Sequence, residues 1–329
     1  MKKFKTVLSL FDGISGTQVA LERNGITYDN YYASEIDKYP ITITQKNYPN
    51  TIQLGSVTDW REWDIDWSSV DLVCGGFPCQ SWSVAGLGLG DKDVRGMLFW
   101  TMLDVMKLVL QKNPNAKFMM ENVRMKSEFE DYITFHTEEA LGKVNKHLIN
   151  SALVSAQNRK RFYWTNIEGI EQPNDLHIKL VDVLEADATE PMLSNIYGGF
   201  NEKKPRVHTG KSVTIRAASG GGHIPSVTLK NKSTNKQGKA YALTHSYNGA
   251  VAWNSIERKQ RTMVPVCQTN EIHPNIYEGC LYRKLTPIEC ERLQTFPQGY
   301  SEGVSNTQRY RSLGNSFTVD VVAHLFKYL

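Results

Sequence analysis

No two cysteines in this chain stand in a C-x-x-C arrangement, and the five present (Cys74, Cys79, Cys267, Cys280 and Cys290) are an odd number. A disulfide framework or a cysteine zinc site is therefore excluded as the organising device, and a reducing compartment fits. No run approaches the roughly 20 consecutive apolar residues of a membrane span. The chain opens basic and then apolar, but the apolar run stops at Asp12-Gly13 and no cleavage site follows, so a signal peptide is not expected. The expectation is a cytoplasmic protein with neither a membrane nor a metal to bind. Acidic residues are scarce in one place. Between Phe200 and Thr262 stand twelve Lys/Arg and two acids, a net +10 in a chain whose total is +4. A basic segment inside a mildly acidic remainder is the footprint of a polyanion such as nucleic acid.

What is present is an alternation. Residues 6–11, 31–34, 70–74, 117–120 and 161–165 are short apolar runs that read as buried strands. Between them lie helical patterns: one opening at Ser15-Gly16 and closing at Gly25, one at 39–46, and a long one at 95–111 with Leu98, Met102, Val105 and Val109 on one face. Such alternation predicts an α/β domain with a parallel, doubly wound sheet. After about Thr165 the chain turns rich in Asn, Gly, Ser, Thr and Lys, with short β-type pieces and a Gly220-Gly-Gly222 break. Helical patterning returns at Thr286-Pro287, where Thr caps and Pro takes the first turn. The last element, 316–329, carries Val319, Val322, Ala323 and Phe326 at core spacing. A large α/β domain interrupted by an insert is therefore expected: residues 1–165 with 281–329, and 166–280.

Chemistry-bearing residues fall where the predicted strands end. Gly75-Gly-Phe-Pro-Cys79 follows the third strand, and open α/β sheets place their sites at strand carboxyl ends. A thiol there is a candidate nucleophile, although a cysteine is as often a small buried hydrophobe. Phe11-Asp-Gly-Ile-Ser-Gly16 links a strand to a helix, where glycines let backbone approach a ligand and free N–H groups await one. It is not a G-x-G-x-x-G fingerprint. Glu35 ends the second strand, where cofactor folds grip ribose hydroxyls. Glu121-Asn-Val ends another, a place for a general acid. Gln157-Asn-Arg-Lys-Arg161 puts Arg159 and Arg161 on one side of a strand, suiting a phosphate or a carbonyl.

Taken in order, Gly-Phe-Pro-Cys-Gln, Glu-Asn-Val, Gln-x-Arg-x-Arg and Gly314-Asn-Ser316 resemble the ordered motifs of DNA (cytosine-5) methyltransferases, most closely the compact bacterial and phage enzymes. Residues 283–297, from Arg283 through Phe296-Pro297, match a further family motif, which organises the recognition region. The resemblance covers residues 1–165 and 281–329. It implies a Rossmann-like methyltransferase domain that takes its methyl group from S-adenosylmethionine and releases S-adenosylhomocysteine. It implies a smaller target-recognition domain at 166–280 and a cytosine flipped out of double-stranded DNA.

The resemblance also implies roles. Cys79 attacks carbon 6 of the cytosine. Glu121 binds N3 and the exocyclic amine, Arg161 contacts the base carbonyl, and Arg159 orders the surroundings of Cys79 or a phosphate. Phe11, Gly13, Ile14 and Gly16 match the first cofactor motif, with Glu35 and Ile36, Pro78, Leu98, and Asn315 with Ser316 completing the site. Gly55-Ser-Val departs from the family's usual Gly-Asp-Ile/Val, so Ser56 with Val57 faces adenine without the usual charge, and Asp59 is near enough in sequence to substitute for the missing acid. Residues 80–95, with Gly86, Gly88 and Gly90, resemble the loop that closes over the flipped base. A monomer is the default for the compact branch. Two other readings remain: a transfer-RNA cytosine methyltransferase, against which the long basic insert argues, and a silent DNA-binding regulator, against which the intact Cys79, Glu121, Arg159 and Arg161 argue.

Overall fold

The computed structural model describes residues 2–78, 96–186, 188–194, 206–215, 225–229, 276–277 and 280–329. Its N-terminal half alternates as the sequence predicts: β1 (Lys3–Leu10), α1 (Gly16–Arg23), β2 (Thr27–Ser34), α2 (Lys38–Asn47), β3 (Ile52–Gln53), β4 (Val70–Gly75), α3 (Leu98–Lys112) and β5 (Lys117–Val123). Then follow α4 (Ser127–Leu141), β6 (Asn145–Asn150) and β7 (Lys160–Thr165). These strands form one seven-stranded sheet in the order β3-β2-β1-β4-β5-β7-β6.

The sheet is mixed, which corrects the expectation of a wholly parallel one. β7 runs antiparallel to both β5 and β6. The reason lies in the connection. β6 and β7 are joined by a short loop through a 3₁₀ turn at Ser151–Leu153, too short for the crossover a parallel pair requires. β7 therefore doubles back into the gap beside β5. The alternation of side chains divides the core in two. Leu72, Cys74, Met119 and Tyr163 face one layer with Val19 and Leu21 of α1. Val73, Phe118, Met120, Phe162 and Trp164 face Phe99, Met102, Val105 and Ile133 of α3 and α4.

The chain leaves β1 outward through β2 and β3, then returns to β4 on the other side of β1. That reversal is where open α/β sheets bind ligands. At its mouth Leu10 of β1 is in register with Gly75 of β4.

A second, five-stranded antiparallel sheet comprises β8 (Ala188–Ser194), β9 (Arg206–His208), β10 (Ser226–Leu229), β11 (Ile276–Tyr277) and β12 (Cys280–Lys284), ordered β11-β12-β10-β8-β9. The short helix α5 (Leu180–Val183) precedes it. Gly220–Gly222 and most of the basic segment lie outside the described residues. After β12 comes α6 (Pro287–Leu293), begun by the predicted cap: Thr286 Oγ1 accepts the Glu289 N–H at 3.2 Å, and Glu289 accepts the Thr286 N–H at 2.8 Å. The same carboxylate, wholly buried, takes both arms of Arg283 at 2.9 Å and the Glu185 N–H at 2.9 Å. Glu289 thus ties β12 and the segment after α5 to α6. The chain ends in α7 (Asn306–Asn315) and α8 (Val319–Phe326). The last helix begins at Val319, three residues later than the predicted element, because Ser316 and Thr318 are extended.

Candidate active site

Gly75 and Gly76 are glycines for a reason the packing states directly. A Cβ on Gly75 would lie 2.4 Å from the Leu10 carbonyl oxygen, and one on Gly76 would lie 3.1 Å from Glu121 Oε2. The loop that leaves β4 therefore runs hard against β1 on one side and Glu121 on the other. Phe77 packs on Phe99 at 5.1 Å between ring centroids. The buried Asn122 side chain donates to the Phe77 carbonyl at 3.1 Å and accepts the Val123 N–H at 2.7 Å. The backbone leading through half-buried Pro78 toward Cys79 is pinned to β5. Cys79 itself and residues 80–95 lie outside the described residues.

The structure brings Glu121 and Arg161 together. Glu121 is opposite Tyr163 in the β5–β7 register, and Arg161 projects from the same face two residues away. Arg161 Nε lies 3.1 Å from Glu121 Oε1, with both side chains largely withdrawn from solvent. The contact is an ion pair, and among the described residues Oε1 accepts no hydrogen bond. A carboxylate oxygen that is buried and short of a donor is costly unless a ligand supplies one.

Arg159 goes elsewhere. It is 4% exposed, and its guanidinium donates to the carbonyls of Ile215 at 3.2 Å, Gly314 at 3.4 Å and Ser316 at 2.7 Å. Gln157, at the head of the same motif, donates to Leu293 O at 3.2 Å and accepts the Ile215 N–H at 3.2 Å.

The loop after β1 is tightly wound. Phe11, Gly13 and Ser15 all have left-handed φ values of 54–59°. Left-handed residues in alternation turn successive N–H groups toward a common concavity. A Cβ at Gly13 would meet nothing within 4 Å, so its face is open. A Cβ at Gly16 would lie 2.7 Å from the Phe317 ring. Ile14 is buried, and its carbonyl accepts the Tyr300 hydroxyl at 2.6 Å. Glu35 accepts the Gly13 N–H at 3.0 Å and the N–H groups of Ile36 and Asp37 at 2.8 Å each. That carboxylate braces two loops and keeps a lone pair on Oε2 for a ligand. Ile36 stands 77% exposed beside it. Ser56 caps a 3₁₀ turn whose first residue, Val57, is buried, and Ser56, Thr58 and Asp59 form a chain of hydrogen bonds at 2.7 and 2.9 Å. Leu98 is half-buried at the start of α3, Ser316 half-buried after α7, and Asn315 exposed.

Sequence reasoning missed Asp12. Its carboxylate accepts from the Tyr31 hydroxyl at 2.7 Å and from the Ser15 hydroxyl, and it is nearly inaccessible. The only signal was an acid placed between an apolar strand end and a glycine. Burial pushes this carboxyl up to about 6 from 3.8, against the hydroxyls of Ser15, Ser9 and Tyr31, which favour the anion. A raised acid stabilises the fold fully below about pH 3.8, and that stabilisation is lost as pH rises through about 6. Asp12→Asn removes this dependence. Relative to wild type, the variant is expected to gain about 2–3 kcal/mol between pH 4 and pH 7.5. Urea unfolding of both proteins at the two pH values measures the difference, and a difference that does not change with pH would contradict it.

Two further cysteines are not available for chemistry. Cys74 and Cys290 are buried thiols; burial pushes Cys74 up to about 12 and Cys290 higher still. Among the described residues no group of His, Cys, Asp and Glu could hold a metal ion, and no helix is long and apolar enough to cross a membrane.

Comparison with known proteins identifies the family. The chain matches the family described as C-5 cytosine-specific DNA methylase over residues 5–329. It is 28% identical to the Type II methyltransferase M.NlaX of Neisseria lactamica, over 96% of this chain and 93% of that protein. It is 24% identical to the Type II methyltransferase M.HhaI of Haemophilus parahaemolyticus, over 97% and 92%. It is 26% identical to the orphan methyltransferase M.SPRI of Bacillus phage SPR, over 98% and 97%. Among solved structures, a DNMT2 mutant of Spodoptera frugiperda superposes with a TM-score of 0.62 at 21% identity, over 98% of this chain and 99% of that one. The methyltransferase EhMeth of Entamoeba histolytica does so at 0.61 and 16%, over 99% and 98%. The Rossmann-like α/β fold accords with the family match, and the chain belongs to the C-5 cytosine-specific DNA methylases.

Proposed function

We propose that this chain methylates carbon 5 of a cytosine swung out of duplex DNA, with Cys79 as the nucleophile and Glu121 and Arg161 as the groups that hold the base. The observation that carries this reading is the Glu121–Arg161 pair. It sits where the carboxyl end of β5 meets the amino end of the antiparallel β7, against the glycine that leads to Cys79, with a buried oxygen that accepts no hydrogen bond among the described residues. A cytosine presents what that pair lacks: an amine donor for the carboxylate oxygen and a carbonyl oxygen for the guanidinium. The Cys79 thiolate forms a bond to carbon 6, and Glu121 stabilises the charge that develops at N3. Carbon 5 becomes the nucleophile, takes the methyl group, loses its proton to water, and the carbon–sulfur bond breaks to restore Cys79.

S-adenosylmethionine, when bound, supplies the methyl group as a sulfonium. The open face at Gly13, the braced Glu35, the exposed Ile36 and the Ser56 cap suit its ribose and adenine, with Phe11, Ile14, Gly16, Val57, Pro78, Leu98, Asn315 and Ser316 lining the remainder. Residues 166–280 act as the target-recognition part, and their basic segment holds phosphates, which fixes register without reading sequence. The working species is a monomer, and unstacking the target base costs a few kcal/mol.

The test is covalent trapping on duplex DNA carrying 5-fluorocytosine, whose carbon 5 cannot release a proton. Wild type is expected to form an adduct that survives a denaturing gel, and Cys79→Ala is not. Methylation of transfer RNA but not of duplex DNA would replace the substrate assignment. Adduct formation by the alanine variant would remove Cys79 from its role.

A further inference from the structure

We infer that Arg159 is a positioning residue: it clamps the segment 314–316 and the 212–215 stretch onto the start of β7, and through that clamp shapes the cofactor site. The inference rests on the proposed role of Asn315 and Ser316 in holding the cofactor.

A buried guanidinium needs its charge compensated. Here carbonyl dipoles do so. Gly314 lies in the last turn of α7 and Ser316 immediately after it, so Arg159 meets the negative end of that helix. Its third acceptor, Ile215 O, comes from the stretch that follows β9, and the Ile215 N–H is held by Gln157. The neighbouring backbone is stitched to the same place: Asn158 N–H donates to Ser212 O at 2.8 Å, and Ser212 N–H to Ala156 O at 2.7 Å. Gln294 reinforces the far side, donating to Leu313 O at 2.7 Å and Ser316 O at 3.2 Å. Three parts of the chain remote in sequence meet on one planar cation.

The two arginines of the Gln-x-Arg-x-Arg motif thus do different work. Arg161 turns to Glu121, where the base is proposed to sit. Arg159 turns to backbone that the cofactor is proposed to touch. A lysine can replace the charge of Arg159 but not the fork that spans three separated carbonyls.

Three proteins separate these roles: wild type, Arg159→Lys and Arg161→Lys. S-adenosylhomocysteine binding is measured by calorimetry without DNA, and hydrogen exchange by mass spectrometry on the cofactor-free proteins. Arg159→Lys is expected to weaken binding at least tenfold and to speed exchange in peptides covering 212–215 and 313–318. Arg161→Lys is expected to leave binding within twofold and exchange unchanged. Should Arg159→Lys fail to fold, native-state exchange of wild type at low urea decides: the amides of Ser212, Ile215 and Ser316 are expected to open together with those of β7. Independent opening of these segments, or binding and exchange in Arg159→Lys equal to wild type, overturns the inference. A wild type that binds no S-adenosylhomocysteine would instead strike at the proposed cofactor, while the exchange measurements would still report on the clamp.

Discussion

Glu121→Gln is expected to lower the rate of methyl transfer by about 10²–10⁴-fold, the range for losing a positioned acid–base group. Glutamine matches the side chain in size, so the close fit against Gly76 survives. Its amide oxygen can still face Arg161 across the 3.1 Å contact. What it cannot do is transfer a proton to N3 of the ring. Attack at carbon 6 builds electron density onto N3, so the loss falls on the transition state and not on the fold. Single-turnover transfer on a defined duplex should therefore slow, with S-adenosylhomocysteine affinity and urea midpoint unchanged. Trapping on 5-fluorocytosine should slow in parallel, because Cys79 attack precedes methylation. A turnover rate within threefold of wild type would mean that Glu121 is a structural partner of Arg161 and nothing more.

The strand-end positions of Glu121 and Arg161 were legible because the apolar residues beside them, 118–120 and 162–164, announce the strands, but the contact between the two side chains was not. α4 and β6 were not legible, for the opposite reason. In α4 only Ile133 and Thr137 are buried, while Phe135 stands 60% exposed, so the apolar residues do not follow a helical stripe. β6 is an edge strand reading Asn-Lys-His-Leu-Ile-Asn, with Ile149 its one buried residue. Without β6, the antiparallel entry of β7 could not be foreseen. Arg159 shows a different limit. Its motif marks it as important, but its partners are 56 to 157 residues away and are backbone carbonyls, which carry no sequence signature. Asp12 fails in the same way: the hydroxyls of Tyr31 and Ser15 decide that it is buried, and only the folded chain brings them to it. The position of Glu35 at a strand end was visible from spacing, but its grip on three backbone N–H groups was not.

The second large effect is expected far from the chemistry. Glu291 is wholly buried on α6 and has no apolar excuse for being there. Its carboxylate accepts the Gly299 N–H at 2.7 Å, the Ser301 N–H at 2.9 Å, the Ser301 hydroxyl, and Arg309 Nη2 at 2.9 Å. Every one of these is a donor. Glu291→Gln places an amide among them that can satisfy one side only, and it leaves the guanidinium of Arg309, 12% exposed, without its counter-charge. Breaking a buried pair from one side costs about 3–5 kcal/mol. That is a large part of the roughly 5–15 kcal/mol by which folded domains exceed their unfolded chains. Urea unfolding of Glu291→Gln, Arg309→Gln and the double variant measures the cost and the coupling, which should be strongly non-additive. The damage should also reach the cofactor loop. The turn that Glu291 organises carries Tyr300, whose hydroxyl holds the Ile14 carbonyl at 2.6 Å. Under conditions where Glu291→Gln remains folded, its affinity for S-adenosylhomocysteine should therefore fall. Unchanged stability in the single variants would mean that water, not Arg309 and the turn, satisfies this carboxylate.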